Sequence, residues 1–395
     1  MREYFADLHI HVGRNEAGKW VKIPTSKNLT VRNILEEAST RKGMDIVGLV
    51  DALSPLVLSD LERLIAEGLL TPLGGGGYRY RDLTVLLGAE IETAEAEGGL
   101  AHTLIYLPDF AAMKRFSEVM SRYIRNIHIS SQNAHMPLAR LVEIAASFEA
   151  VIIPAHVFTP YKSLYGSCAD RLSHLLPERL MAKISAIELG LSADTFMADR
   201  IDELAPFTFV TNSDAHSLVK IAREYNVLRL EAPTWQECLL AIARRDGRAV
   251  TGNYGLNPLL GKYHRSLCSA CGYLDLAGEI PVHGACPHCG SIKIIKGVFD
   301  RIEEIAAYPV PQHPVHRPPY HYQIPLEFVP GLGRKLLEKL LDRFGSEMRI
   351  LHTASLAEIA AVIGEKLAVE IDKARTGQMA IAAGGGGYYG KLVKD

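Results

Sequence analysis

A short run near the start of the chain carries three side chains that could bind a metal ion. Asp7, His9 and His11 alternate there with the apolar residues Leu8 and Ile10. In a β-strand, alternate side chains point to the same face, so the carboxylate and both imidazoles would share one face. Imidazole and carboxylate groups together are typical ligands of zinc, manganese or iron. The run therefore predicts a metal site, although a buried strand with two hydrogen-bonded histidines would have the same pattern.

Further candidate ligands lie at the ends of later strand-like segments. Residues 1–253 alternate β-rich segments with helix-like segments, which predicts a parallel β/α barrel or a related sheet. The predicted strands are 4–12, 46–50, 84–87, 103–107, 151–154, 186–189 and 208–211. The polar residues at or near their ends are Asp51, Glu90, Glu92, His102, His156, Glu188, Asp214 and His216. Because catalytic groups in β/α barrels come from the carboxyl ends of several strands, we expect these residues to line one mouth that holds divalent metal ions.

This ordered set of motifs resembles the PHP (polymerase and histidinol phosphatase) metal-dependent phosphoesterases. The matching motifs are His9-Ile-His11, the Asp51 segment, Gly88-Ala-Glu90, His102, His156 and Asp214-Ala-His216. The resemblance implies a distorted seven-stranded barrel with two to three ions, Zn, Mn or Mg. It assigns the first ion to His9, His11, Glu90 and Asp214. It makes Glu90 a bridge to a second ion that His102 and His156 also hold.

A third ion site is implied in a weaker or altered form. Asp51 and His216 would remain as its ligands, with Asp7 as a further candidate. Ala52 stands where the family usually has a histidine after the strand-two aspartate. The predicted catalytic residues are Asp214, Glu90 and His216. Glu188 either orients a histidine ligand or is structural, and Glu92 either points away from the site or contacts substrate.

Four cysteines further along the chain have the spacing of a zinc site. Cys268-Ser-Ala-Cys271 and Cys286-Pro-His-Cys289 form two CxxC turns. Each turn presents two thiolates to one ion, and two turns complete a tetrahedron. We expect one structural zinc ion. The alternative, a redox pair, would usually sit at the start of a helix in a thioredoxin-like unit.

The last part of the chain has the features of a DNA-binding domain. A Pro-, His- and Tyr-rich segment, 299–326, predicts an extended, packed linker. A Gly-x-Gly turn at Gly331 and Gly333 then precedes a helix that begins with basic residues. The free backbone N–H groups at such a helix start can bind phosphate. A degenerate copy of the pattern surrounds Gly364. The pattern looks like the paired helix-hairpin-helix modules of DNA repair proteins, although a protein–protein module would share it. The predicted DNA-binding residues are Lys262, Arg265, Gly331, Gly333, Arg334, Lys335, Gly364 and Lys366.

The bulk composition limits the remaining classes of protein. The chain has 395 residues, a net charge of −2 and 48% hydrophobic residues, as expected of a globular protein. This charge neither predicts nor excludes nucleic-acid binding, since a local basic groove would suffice. The chain shows no secretory signal and no apolar run long enough to span a membrane. Together with the cysteine usage, this predicts a cytoplasmic protein.

The order of the parts resembles the endonuclease Q group, in its shorter, bacterial-type members. The resemblance also rests on Asn253-Tyr-Gly-Leu-Asn-Pro258 and on Gly261-Lys-Tyr-His-Arg265, which leads into the first CxxC. The predicted units are a PHP barrel over 1–255, a four-Cys zinc module over 256–298, the linker over 299–326 and a helical DNA-binding domain with a glycine-rich tail over 327–395.

The resemblance implies a repair endonuclease that acts on double-stranded DNA. It would cut 5′ of a deaminated base (uracil, hypoxanthine or xanthine) or of an abasic site and leave a 3′-hydroxyl and a 5′-phosphate. Another PHP phosphatase or 3′–5′ nuclease, and a DNA-binding accessory protein with a decayed site, remain alternatives. Candidate contacts to the damaged base or strand are Tyr78, Tyr80, His128, Ser130, Ser131 and Gln132.

Overall fold

Residues 1–282 and 284–393 are described in a computed structural model. The strands are β1 (Arg2–Ile10), β2 (Ile46–Leu49), β3 (Thr71–Pro72), β4 (Tyr78–Tyr80), β5 (Leu83–Ala94), β6 (Leu100–Leu107), β7 (Val151–Pro154), β8 (Ala186–Glu188), β9 (Thr208–Val210), β10 (Tyr225–Leu230), β11 (Ala249–Gly255), β12 (Leu267–Cys268), β13 (Ile294–Ile295), β14 (Tyr320–Tyr322), β15 (Ile381–Ala382) and β16 (Lys391–Leu392). The helices are α1 (Val31–Glu36), α2 (Pro55–Ala66), α3 (Phe110–Met120), α4 (Leu138–Ala146), α5 (Glu178–Met181), α6 (Thr195–Ala198), α7 (Trp235–Ile242), α8 (Val298–Ile305), α9 (Arg334–Phe344), α10 (Glu347–His352), α11 (Leu356–Ile363) and α12 (Glu365–Arg375).

The seven predicted segments all form strands, in a mixed α/β fold whose sheet is not parallel throughout. β1, β2 and β5 are parallel neighbours, but β6 runs antiparallel to both β5 and β7. The prediction of parallel strands is therefore wrong for β6, which follows β5 through a short hairpin. The antiparallel direction brings the start of β6, where His102 lies, beside the end of β5, where Glu92 is its direct partner.

The end of β1 meets the loop that follows β9, although β8 and β9 pair in a separate two-stranded sheet. The backbone N–H of His11 donates to the carbonyl of Ala215 at 3.1 Å, and the N–H of Ala215 donates to the carbonyl of His9 at 3.2 Å. On the other side, β8 is joined to β7 by a bond from the N–H of Ser185 to the carbonyl of Ile152. The ends of distant strands therefore converge on one place.

The proline-rich segment is a packed connection that also extends the sheet. It begins within α8 and ends with β14, which pairs in parallel with β11. The guanidinium of Arg317 lies 2.8 Å from the carboxylate of Asp199 and stacks over the Phe209 ring at 3.3 Å. The composition indicated an extended course for this segment, but not the added strand.

The C-terminal helices pack against the first unit. The ammonium of Lys42 donates to the carboxylate of Glu347 at 2.9 Å, and both side chains are buried. His352 stacks on Phe5 and bonds to the hydroxyl of Tyr225. None of the helices in the described part of the chain has the length and apolarity that a membrane span requires.

Glu224 is a buried carboxyl group beside β10 that should make stability depend on pH. Burial raises its pKa to about 8, although hydrogen bonds from the Thr211 hydroxyl and the Leu256 N–H lower this pKa. The unfolded chain would release this proton near the ordinary value of 4.5, so this contribution to stability is full below that pH and is lost as pH rises through about 8. Glu224→Gln keeps both partners without a titrating proton.

We therefore expect the wild type to lose on the order of 2–3 kcal/mol relative to Glu224→Gln between about pH 6 and about pH 9. Denaturant unfolding of both proteins at the two pH values measures the difference. Parallel pH profiles for the two proteins would show that another group causes the dependence.

Candidate metal centre

Four side chains from distant parts of the chain surround one point at the sheet edge. His9 Nε2 lies 3.5 Å from Glu90 Oε1 and 3.5 Å from Asp214 Oδ1. His11 Nε2 lies 3.3 Å from the same Asp214 oxygen and 3.6 Å from Glu90 Oε2. Ligands placed tetrahedrally at about 2.1 Å from one ion are about 3.4 Å apart. The ligand atoms of His9, His11 and Glu90 are therefore close enough to share one divalent ion, and Asp214 lies within the same range of both imidazoles. These are the four residues that the resemblance assigned to the first site.

A second group of ligand atoms shares the carboxylate of Glu90. His102 Nδ1 lies 2.8 Å from Glu90 Oε1, and His156 Nε2 lies 3.4 Å from the same oxygen. The antiparallel course of β6 places His102 here. The arrangement is compatible with the bridging role predicted for Glu90.

Two of the ligands have strained backbones. His156 and Asp214 have φ angles of 33° and 46°, a region that residues other than glycine rarely adopt. Gly190 packs against His156, where an added Cβ would lie 2.8 Å from the His156 Cβ. Strain of this kind costs about 1–3 kcal/mol per residue and persists only where the surrounding structure holds the residue in place. It is found mostly at functional sites.

Glu188 orients two of the histidines, as one of its two predicted roles required. Its carboxylate accepts from His9 Nδ1 at 3.0 Å and from the backbone N–H of His156 at 2.9 Å. The side-chain amide of Asn212 donates to it at 2.8 Å. His9 is thus held with Nε2 facing the ligand group, which is how outer carboxylates orient metal-binding imidazoles.

Asp51 and Glu92 occupy the same kind of position behind other ligands. Both Asp51 oxygens lie 3.1 Å from His11 Nδ1, and one also accepts from the Val12 N–H at 2.6 Å. Asp51 therefore supports His11 and is absent from the groups of close ligand atoms found among the described residues. Glu92 accepts from His102 Nε2 at 3.3 Å, so the expectation that it points away from the site is wrong.

Asp7 is buried beside the site but faces the backbone. Its oxygens accept from the N–H groups of Ser213 at 3.1 Å and Ala222 at 2.9 Å. They anchor the loop after β9, which carries Asp214. The carboxylate is not in the groups of close ligand atoms among the described residues, so its predicted metal contact has no support in this geometry.

His216 belongs to a third group that reuses ligands of the first. It lies with His11 and Asp214 within the distance range of ligands to one ion. Its Nδ1–H donates to the backbone carbonyl of Asp214 at 2.9 Å, which leaves Nε2 free. Burial lowers the pKa of His216 to about 4, so its imidazole is neutral, the form that binds metals.

Lys22 is part of the site, although the sequence analysis did not identify it. Its ammonium donates to Glu90 Oε2 at 2.8 Å and to the Ser131 hydroxyl at 2.5 Å, and its side chain is 10% exposed. A lysine between two β-branched residues carries no signal of such a role, because long-range packing brings it to Glu90. Burial opposes the charge on Lys22, but Glu90 and Asp51 outweigh it and raise the pKa of the ammonium.

The two central carboxylates are ionised. Burial opposes the charge on Glu90, but His102, Lys22 and His11 hold the pKa of this carboxyl well below its usual value. Burial opposes the charge on Asp214 as well, and His216 and His9 lower the pKa of that group. Ionised carboxylates are the ligand form that a divalent ion requires.

The ligand groups lie in an open cavity of about 620 Å³ that three parts of the chain enclose. The first unit contributes the metal ligands and Tyr161. The four-cysteine module contributes Lys262 and Tyr263, and the C-terminal tail contributes Tyr389. The cavity therefore needs the cysteine module and the C-terminal tail as well as the first unit.

The four cysteines form a separate site that fits a zinc ion. The Sγ atoms of Cys268 and Cys289 are 3.7 Å apart, and those of Cys271 and Cys286 are 3.8 Å apart. Four thiolates placed tetrahedrally at about 2.3 Å from zinc would be about 3.8 Å apart. The short pair of β12 and β13 holds the first of these turns in place.

Several predicted DNA contacts lie on exposed helix starts, whereas one is internal. Gly331 and Gly364 have φ angles of 87° and 88°, which a side chain would strain. The exposed set comprises Gly331, Gly333, Arg334, Lys335, Gly364 and Lys366. The guanidinium of Arg265 instead pairs with Asp300 at 3.1 Å, its side chain is only 13% exposed, and it stabilises the cysteine module. The prediction of a phosphate contact by Arg265 is wrong for this arrangement.

The candidates for base contacts divide in the same way. Tyr78 and Tyr80 are buried on β4, and their hydroxyls bond to the Phe110 N–H and to Glu36, so they are core residues. Ser130 and Ser131 hydrogen bond to Asp51 and Glu90 at the edge of the metal centre. Their place beside the ligands was not evident from the sequence.

Two ligand groups share the Glu90 carboxylate at the strand ends of an α/β fold. Together with the similarities to known proteins that follow, this site defines a metal-dependent nuclease. The chain is 46% identical over 393 residues to the uncharacterised protein YqxK of Bacillus subtilis, across 99% of this chain and 100% of that one. It is 33% identical to the lesion-specific endonuclease PfuEndoQ of Pyrococcus furiosus, with a TM-score of 0.85 over 99% of this chain and 95% of that chain. A second structure, of endonuclease Q with a 27-mer duplex carrying an abasic lesion at its active site, matches at 33% identity and a TM-score of 0.84, over 100% of this chain and 97% of that one. No family model matches the chain. The chain belongs to the endonuclease Q family.

Proposed function

We propose that this protein is a DNA repair endonuclease that hydrolyses the phosphodiester 5′ of a deaminated base or an abasic site. The products would be a 3′-hydroxyl and a 5′-phosphate. The observation that carries the proposal is the pair of Glu90-linked ligand groups in a cavity enclosed by the first unit, the cysteine module and the C-terminal tail. The match to endonuclease Q over the whole chain supports the choice of substrate.

The residues of the cavity suit a nucleotide as well as a metal. Tyr161 and Tyr263 meet edge to face, with ring centroids 5.7 Å apart, and Tyr389 is 52% exposed beside them. Aromatic rings at the mouth of a cavity can stack on a base that has left the duplex. Moving a nucleotide out of the duplex costs least free energy where its base is mispaired or damaged. The cavity also collects cationic side chains, Lys22, Lys162, Lys220, Arg223 and Lys262, in a chain whose net charge is −2.

The protein residues would position the reaction in the following way. Divalent ions held by the two groups would make hydroxide available near neutral pH and neutralise charge on the phosphoryl oxygens. Glu90 links the two groups, Asp214 lies beside both imidazoles of the first, and Glu188, Asp51 and Glu92 fix the orientation of the imidazoles. His216 lines the cavity, and its Nδ1 bond to Asp214 leaves Nε2 free. It completes the predicted catalytic set. Tyr161 and Tyr263 would restrict water on the side away from the ligands.

One assay tests the proposal against the alternatives. Purified protein with Mn²⁺ or Mg²⁺ is incubated with end-labelled duplexes that carry one deoxyuridine, deoxyinosine, deoxyxanthosine, abasic site or no lesion. We expect a single cut 5′ of the lesion and a product that DNA polymerase extends without phosphatase treatment. Degradation from the ends would instead indicate an exonuclease. Release of phosphate from a small monoester would indicate a phosphatase, and binding without cleavage would indicate an accessory protein.

We further propose that the exposed basic helix starts grip the duplex backbone. Lys335 lies in the first turn of α9 and Lys366 in the first turn of α12, after Gly333 and Gly364. The double variant Lys335→Gln/Lys366→Gln should weaken binding of damaged and undamaged duplex alike and reduce the slope of log Kd against log salt by about two. Fluorescence anisotropy over a salt series measures both.

The matched control removes two exposed lysines from the first unit, as Lys114→Gln/Lys183→Gln. This variant has the same charge change and should retain the wild-type slope. An equal loss in both double variants would mean that bulk charge, and not the helix starts, determines binding.

A further inference from the structure

Ile23 and Pro24 form an exposed apolar tip at the mouth of the cavity. Both residues line the cavity that contains the metal ligands, and Ile23 is 59% exposed. Proline has no backbone N–H, so the tip presents mostly hydrocarbon to solvent. Single exposed aliphatic side chains are common on protein surfaces. The bonds that attach this one to the metal centre are what distinguish it.

The chain on both sides of the apolar tip is bonded to the metal centre. On the side before the tip, the ammonium of Lys22 donates to Glu90 Oε2 at 2.8 Å. On the side after it, the Ser26 N–H donates to the carbonyl of His216 at 2.9 Å. The Thr25 hydroxyl donates to the Lys22 carbonyl at 2.7 Å and closes the turn that carries the tip. The tip is therefore fixed in its position relative to the metal ligands.

The segment that precedes the tip is held by two neighbouring parts of the chain. The Val21 N–H donates to the Gly13 carbonyl at 2.9 Å, and the Ser130 N–H donates to the Val21 carbonyl at 2.7 Å. An added Cβ at Gly13 would lie 2.5 Å from the Thr25 hydroxyl, so the segments pack without space between them. A tip supported in this way can hold its position against a stack of bases.

Cationic side chains flank the apolar tip in the sequence. Residues 19–28 carry Lys19, Lys22 and Lys27 and no acidic residue. Lys19 and Lys27 are exposed, whereas Lys22 is buried against Glu90. Phosphates border every base step of a duplex, so an apolar tip between exposed cations matches the charge pattern of DNA.

The tip and Tyr161 adjoin different ligand groups. The Ser26 bond places the tip beside His216, which belongs to the third group. Tyr161 precedes Lys162, whose carbonyl accepts from the N–H of His102 in the second group. The first group lies between these two, since it shares ligands with both. A nucleotide that stacks on Tyr161 would therefore leave the tip free to contact the duplex.

We propose that Ile23 enters the duplex at the lesion and fills the space that the displaced nucleotide leaves in the base stack, with Pro24 supporting it. The inference rests on the proposed function, because its ligand is a duplex from which one nucleotide has moved into the cavity. Isoleucine, leucine and proline are among the side chains that other DNA-binding proteins insert between base steps. Ile23 blocks the return of the nucleotide, so its contribution is largest where the target base is paired and stacked in the free duplex. Ile23 is thus a positioning residue for the substrate.

Cleavage of one labelled strand in two forms tests this role. The strand carries a single deoxyuridine and is used alone or paired, with adenine opposite the uracil. In single-turnover reactions of the full chain with Mn²⁺, Ile23→Ala should cut the duplex about ten-fold more slowly than the wild type and the single strand within about two-fold of the wild-type rate. Ile23→Leu, which keeps an apolar side chain of the same size, should restore the duplex rate. Ile292→Ala makes the same change at an 82% exposed position of the cysteine module and should leave both rates unchanged.

Fluorescence of 2-aminopurine placed next to the uracil reports insertion without cleavage. Stacking quenches this base, so saturating wild-type protein, without added divalent ions, should raise its emission at least about two-fold more than Ile23→Ala does. A duplex rate that Ile23→Ala leaves unchanged, an equal loss on the single strand, or an equal rise in emission for the two proteins would overturn the role of Ile23. A wild type that raises the emission more than Ile23→Ala but cuts neither substrate would refute the proposed function and leave the insertion supported.

Discussion

Replacement of Glu90 by glutamine is expected to remove the ions of both ligand groups and to lower DNA cleavage by at least about 1,000-fold, which corresponds to about 4 kcal/mol. Both oxygens of Glu90 are in use. Oε1 lies within 3.5 Å of imidazole nitrogens of His9, His102 and His156, and Oε2 faces Lys22. An amide oxygen carries no net charge and binds divalent ions more weakly than a carboxylate oxygen, and the NH₂ group of glutamine would face the Lys22 ammonium. Glutamine therefore keeps the shape of the side chain and loses the link between the two groups.

Glu92→Gln is the matched comparison, since it makes the same change two residues along the same strand. Glu92 contacts His102 Nε2 and the Lys162 ammonium but is itself in none of the ligand groups of the described residues, so we expect a smaller loss, about 10–100-fold in Mn²⁺ affinity or activity. Metal content and the single-turnover cleavage rate are measured for both variants. A Glu90→Gln protein that retains the wild-type Mn²⁺ content and cuts within about ten-fold of the wild type would refute the assigned bridge.

The sequence predicted the inner ligands well because their signal is local. A histidine or carboxylate at the end of an apolar run is visible without knowledge of the partner strand, and the β/α pattern brings such ends together. His9, His11, Glu90, His102, His156, Asp214 and His216 all lie in the groups of close ligand atoms. The same reasoning did not predict the direction of β6, since a short hairpin and a crossover look similar when the strands are short.

The sequence did not show which oxygens the backbone already occupies. Asp7 stands within the first predicted strand and Asp51 directly after the second, yet their carboxylates accept from backbone N–H groups and from His11. Lys22 was missed for the opposite reason, because its partner Glu90 is 68 residues away in sequence. Arg265 was predicted to contact DNA and Tyr78 was a candidate contact to the damaged base or strand, yet both side chains are largely buried. In each case a contact with a residue far away in the sequence determines what the side chain does. The type of the residue alone does not reveal that contact.

The cysteine module forms a wall of the cavity, so its zinc site should affect DNA cleavage without touching the barrel ligands. Lys262 and Tyr263 reach the cavity from this module. The tail rests on the same segment, since the Gly387 N–H donates to the carbonyl of Lys262 at 2.8 Å and the Arg265 N–H donates to that of Gly384 at 3.2 Å. Tyr389 follows directly in the chain. Loss of the ion should therefore disorder one side of the cavity.

Cys268→Ser is expected to eliminate the bound zinc and to raise the Kd for a duplex with an abasic site at least about ten-fold, which corresponds to about 1.4 kcal/mol. Cys268 is buried and pairs closely with Cys289, so serine leaves the tetrahedron incomplete. The first unit should still bind Mn²⁺ as the wild type does and hydrolyse bis(4-nitrophenyl) phosphate, a small diester that needs no DNA contact. Cys168→Ser, a cysteine outside the zinc site, is the control and should retain zinc and affinity. If Cys268→Ser loses zinc but binds and cuts the duplex normally, the module is not part of the substrate site.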